Sequence, residues 1–81
     1  MGDENEALAR RFPQHASKIR RLRARDPDFR SICDDYDDAQ RALKHWEAAS
    51  QAAPERVAEY RQIVEELEAE ALAIIEAFDG N

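Results

Sequence analysis

From Phe29 onward the apolar positions recur in alternating steps of three and four: Phe29, Ile32, Tyr36, Ala39, Leu43, Trp46 and Ser50. The same spacing resumes after Pro54 with Val57, Tyr60, Val64, Leu67, Ala71, Ile74 and Phe78. Steps of this kind are the seam of a helix that packs along its length. The pattern predicts two long helices, at about 27–52 and 54–78, each roughly 35 Å long at 1.5 Å per residue. Folding one back on the other sets Phe29 against Phe78, Tyr36 against Ala71 and Leu43 against Val64, with Trp46 near Tyr60. Large then faces small at Tyr36 and Ala71, and Trp46 lies beside Ser50 and Ala53. Such a seam suits a crossing angle near +20°. Upstream, Leu8, Phe12, His15, Ile19 and Leu22 fall on one side of a third, shorter helix at about 13–25. The fold class expected is all-α: an antiparallel, coiled-coil-like two-helix hairpin with a shorter N-terminal helix, in a single domain over 12–79. The acidic residues 1–11 are expected to be disordered.

The three prolines mark the helix starts, because the first turn of a helix does not need the missing N–H. The boundary is clearest at Asp26-Pro27-Asp28. Asp26 is suited to accept from the N–H groups of a new first turn, and Pro27 keeps Asp26 out of the α region. Asp28 adds negative charge where the helix dipole favours it. At Pro54 the signal is mixed. The heptad register runs through Ser50 and Ala53 to Val57, so one continuous helix paired with a second chain satisfies the same pattern. An interior proline, which costs about 3 kcal/mol or more, opposes that reading. The connection Gln51-Ala52-Ala53 carries no glycine, so the turn rests on Pro54 and a weak stretch of seam.

Size sharpens the picture. A chain of 81 residues buries a small core, and single Cys33 allows no internal disulfide. Self-association is the expected way to enlarge that core, with Ile63, Leu72 and Ile75 outside the seam as a second apolar face. A lone thiol and an acidic start, Met1 to Glu6, without the layout of a signal peptide point to a cytoplasmic protein. The longest apolar run, Ala71 to Ile75, is far below the ~20 residues that cross a bilayer, so no membrane association is expected.

The net charge of −6 conceals a segregation. Residues 7–25 hold seven basic groups and no acid, while 26–81 hold fifteen acids and five bases. A basic arm is joined to an acidic body. Lys18, Arg20, Arg21, Arg23 and Arg25 are the candidate contacts for a partner or a polyanion. Phosphate contacts of that kind are salt-sensitive and sequence-neutral. The body's charge repels a polyanion, however, and the aromatics lie in the seam, away from any base they could stack on. The arm is therefore expected to lie against the acidic hairpin of its own or a neighbouring chain.

Phe12-Pro13 followed by Ile19 and Leu22, then Asp26-Pro27-Asp28-Phe29, Ile32, Tyr36, Leu43 and Glu47, resembles the YdcH-like family of small bacterial helical proteins of unknown function. The resemblance covers about residues 12–75. It implies a helical hairpin and a bacterial cytoplasmic setting, and no reaction. The chain departs from the family pattern at Ala39-Gln40, where Leu-Asp is usual, and at Leu67-Glu68-Ala69-Glu70, where a Leu-Lys-Asp-Glu run is usual.

No catalytic, cofactor or metal site is expected. Cys33, His15 and His45 lie on different turns without Cys-x-x-Cys or His-x-x-x-His spacing, which fits zinc poorly. Cys33, Ser17, Ser31 and Ser50 have no base and orienting group beside them in sequence. Asp34, Asp35, Asp37 and Asp38 fan around a helix, without the glycine of a calcium loop, and read as a solvated face. The expected function is that of a non-enzymatic helical protein–protein interaction module able to self-associate. The alternative is a weak nucleic-acid-binding protein using the basic helix.

Overall fold

The structure is a computed structural model and describes residues 6–49 and 54–78. Among the described residues four α-helices follow one another: α1 (Ala7–Arg11), α2 (Ala16–Arg25), α3 (Pro27–Ala49) and α4 (Pro54–Ala77). A single 3-10 turn, Pro13–His15, separates the first two. The described residues contain no strand, and the all-α class holds.

The local signals act where their chemistry places them. Asp26 is extended, with φ −117° and ψ 106°. Its N–H donates to the Leu22 carbonyl at 2.8 Å and closes α2. Its Oδ1 accepts from the N–H groups of Asp28 at 3.0 Å and Phe29 at 3.3 Å and opens α3. One residue thus ends one helix and caps the next, a cap worth about 1 kcal/mol. The Arg30 Nε donates to the Arg23 carbonyl at 3.1 Å and braces the same corner.

Pro13 begins a 3-10 turn, and the expected helix at 13–25 is regular only over 16–25. Pro13 disfavours α geometry at Phe12, which sits at φ −124° and ψ 70°. The chain bends there, so Leu8, Phe12, Ile19 and Leu22 all turn inward and are buried, while His15 is half-buried.

The acidic start departs from expectation. Residues 7–11 form α1, and Leu8 is only 1 % exposed. The physical reason lies on α3: Asp37 Oδ1 accepts the Ala7 N–H at 3.2 Å, and Leu8 and Ala9 enter the core. A charge count over 1–11 registers none of this. The rest of the expected disordered stretch, 1–5, lies outside the described residues, as do Ser50 and the connection 51–53.

The core runs between α3 and α4 and extends under the arm formed by α1 and α2. Phe29, Tyr36, Ala39 and Leu43 of α3, with Val64, Ala71 and Ile75 of α4, are buried with Leu8, Ile19 and Leu22 of the arm. Phe29, Tyr36, Leu43 and Val64 are buried as the seam requires. Ile32, Trp46, Val57, Tyr60, Leu67, Ile74 and Phe78 are half-buried. Two helices alone bury only the strip between them, and the arm covers one flank of that strip.

Candidate functional site

The pair α3 and α4 has two flanks of opposite character. Side chains three, four and seven apart share a helix face, which assigns each residue to its flank.

The covered flank carries a polar network under the arm. The Tyr36 hydroxyl donates to Glu68 Oε2 at 2.6 Å and accepts from Gln40 Nε2 at 2.9 Å. The Arg11 Nε donates to the same Glu68 oxygen at 3.1 Å. Residues of α1, α3 and α4 thus meet at one carboxylate oxygen. Burial, and then the hydrogen bond to Glu68, push the Tyr36 phenol up to about 12.

Asp37 is the second feature of this flank. It is 3 % exposed, which corrects the reading of the whole Asp34–Asp38 run as a solvated face. Asp34, Asp35 and Asp38 are exposed. Burial pushes the Asp37 carboxyl above its ordinary value, against the lowering effects of the Ala7 N–H, Arg41 and Arg23. Among the described residues its buried Oδ2 has no hydrogen-bond partner, and neither has the buried Arg23 Nε. Cys33 is buried, and desolvation pushes its thiol up to about 11. Beside Asp37 a shallow cleft of about 350 Å³ is lined by Arg10, Arg11, Gln40, Arg41 and Lys44.

The candidate basic contacts are only partly brought together. By helical spacing Lys18, Arg21 and Arg25 share one side of α2, while Arg20 and Arg23 lie elsewhere. The Arg20 guanidinium pairs with Glu6 at 3.2 Å, and that of Arg25 lies 5.9 Å from the centroid of the Phe78 ring. Arg23 is half-buried. The arm lies on its own chain's acidic body, through Arg11 and Glu68 among other contacts.

Among the described residues, none covers the other flank. Ile32, Trp46, Tyr60, Leu67 and Ile74 lie on it half-buried, and Ile63 is 40 % exposed. Of the second apolar face expected at Ile63, Leu72 and Ile75, only Ile63 is exposed. Ile75 is fully buried and Leu72 packs against the core. A groove of about 450 Å³ runs along the bare flank, with Ala39 and Ala42 opposite Tyr60, Ile63 and Leu67, and Asp35 and Asp38 on its α3 rim. Near the far end, Trp46 meets His45 edge-on with ring centroids 5.2 Å apart, and Arg56 lies 5.8 Å from its ring.

Sequence reasoning missed Asp37, Gln40 and Glu68. Each lies beside a seam residue, a position that is solvated in a two-helix pair and covered only when a third element packs there. Among the described residues no group of three or more His, Cys, Asp or Glu side chains converges as a metal site. No described helix is long and apolar enough to cross a membrane. No protein-family model, curated protein or solved structure matches the chain.

Proposed function

We propose that this chain is a non-enzymatic helical interaction module. In this reading α3 and α4 form an antiparallel hairpin closed within one chain, braced on one flank by the basic arm and offering the other to a protein partner. The pairing of contacts supports the hairpin: Tyr36 reaches Glu68, and further along α3 Glu47 pairs with Arg61, nearer the start of α4. In one continuous helix residues this far apart in sequence would lie tens of ångströms apart at 1.5 Å per residue.

The observation that carries the functional reading is the bare flank. Five half-buried apolar side chains and the exposed Ile63 run along the one side of the pair that the arm leaves open. Contiguous apolar surface rimmed by polar groups marks interaction sites. The nucleic-acid alternative gains less, since Arg11, Arg20 and Arg25 are engaged with Glu68, Glu6 and Phe78. The bacterial cytoplasmic setting and YdcH-like membership belong to the same proposal. They rest on Phe12-Pro13 and on Asp26-Pro27-Asp28-Phe29, whose two phenylalanines are buried.

Site-specific photocrosslinking in cells tests the reading. A photoreactive amino acid at position 63 is expected to give discrete protein adducts, and one at exposed Ala58, seven before Glu65 on the other side of α4, is expected to give none. Equal patterns at the two positions would overturn it.

A further inference from the structure

We infer that the bare groove receives a cationic amphipathic helix from a different protein, not a second copy of this chain. The inference rests on the proposed interaction-module reading and names the partner's chemistry. The groove has the form that helix-in-groove recognition uses: a floor of small residues, Ala39 and Ala42, beside the larger walls Tyr60, Ile63 and Leu67. A visiting helix with apolar anchors at i, i+3, i+4 and i+7 would set them over the alanines and cover Ile63.

Charge selects among occupants. Asp35 and Asp38 line the α3 side of the groove. Glu59, Glu66 and Glu70 lie four before, three after and seven after Ile63, so helical spacing puts them around it, and all three are exposed. Two bases sit by this rim, Arg56, which pairs with Glu59 at 3.5 Å, and Arg41, which pairs with Asp38, so Asp35, Glu66 and Glu70 carry its excess of acid. A symmetric dimer through this flank would place two such acidic rims against each other, and like charges across an interface oppose association. A helix with Lys or Arg flanking its apolar stripe would meet the opposite field, which favours encounter and orientation.

The test uses the full chain and two fluorescent peptides of about 18 residues, roughly 27 Å as helices. Both carry the same leucine stripe, one flanked by lysines and the other by glutamates. The lysine peptide is expected to bind in an anisotropy titration and the glutamate peptide is not. Ile63→Ser should weaken the lysine peptide by about tenfold, as loss of a central apolar contact does. Asp35→Asn with Asp38→Asn should weaken it and flatten its salt dependence. Glu65→Gln, exposed on the other side of α4, should leave it unchanged. Equal binding of the two peptides, no binding of either, or equal loss in Glu65→Gln would overturn the inference. So would sedimentation that shows a dimer dissolved by Ile63→Ser, although that result would uphold the interaction-module reading. Failure at the peptide stage with crosslinks retained at position 63 would remove the cationic helix alone.

Discussion

The Tyr36 hydroxyl and the Glu68 carboxylate, thirty-two positions apart, form a 2.6 Å hydrogen bond inside the helical core. The bond ties α3 to α4, and Arg11 on the same oxygen ties in the arm. Tyr36→Phe removes the donor and leaves a partly covered carboxylate. A loss of about 2 kcal/mol is expected, in the range for hydrogen bonds to charged groups. Urea unfolding followed by circular dichroism measures it. Glu68→Gln, which keeps an acceptor, should lose less.

The same bond sets a dependence on alkaline pH. Tyr36 is raised in the folded chain from 10.0 to about 12, chiefly by burial. A phenol with a raised folded value binds its proton more tightly when folded. Its contribution to stability is complete below 10.0 and is lost as pH rises toward about 12. In a Tyr60→Phe background, phenolate absorbance from Tyr36 is expected only near the upper value. Ionisation at the ordinary value in the folded chain would contradict the buried bond.

Asp37 acts in the acid range with the same sign. Burial raises its carboxyl above the ordinary 3.8, so its ionised form is disfavoured by folding. Its contribution is complete below the ordinary value and is lost as pH rises through the raised one. Asp37→Asn keeps an acceptor for Ala7 and cannot ionise. The difference in urea midpoint between the two proteins should therefore shift in favour of wild type as the pH is lowered from 7 to 4. Asp37→Ala removes the acceptor and should cost about 1 kcal/mol, as loss of a helix cap does.

Leu8 anchors the arm, being 1 % exposed. Leu8→Ala should cost about 2–5 kcal/mol, the range for buried leucines. The loss should begin at the arm: amide exchange is expected to accelerate first in α1 and α2, with the centre of α3 protected longest.

Cys33 reports on the same opening. Its thiol is pushed from 9.0 to about 11, so at pH 8 its thiolate is about a hundredfold scarcer than that of an ordinary cysteine. Alkylation by iodoacetamide is expected to be slow in the folded chain and faster in Leu8→Ala. A wild-type rate equal to that of the urea-unfolded chain would mean that Cys33 is open to solvent.

Features that depend on near neighbours along the chain are legible without the fold. The alternating three- and four-step spacing marks α3 and α4, because helical geometry brings such positions to one side. Asp26-Pro27 marks the corner before α3, because a cap and a fixed φ act within one turn. Phe29, Tyr36, Leu43 and Val64 could be named as core for the same reason. Which flank of the α3–α4 pair is covered depends instead on contacts between remote positions. Ala7 finds Asp37 thirty positions away, and Ile75 is buried within a core that the arm's Leu8, Ile19 and Leu22 complete. Periodicity places Ile63 and Ile75 alike outside the seam, yet one is 40 % exposed and the other 0 %. What separates them is the path of a distant segment across one flank, and contacts between remote positions leave no period in the chain to be read.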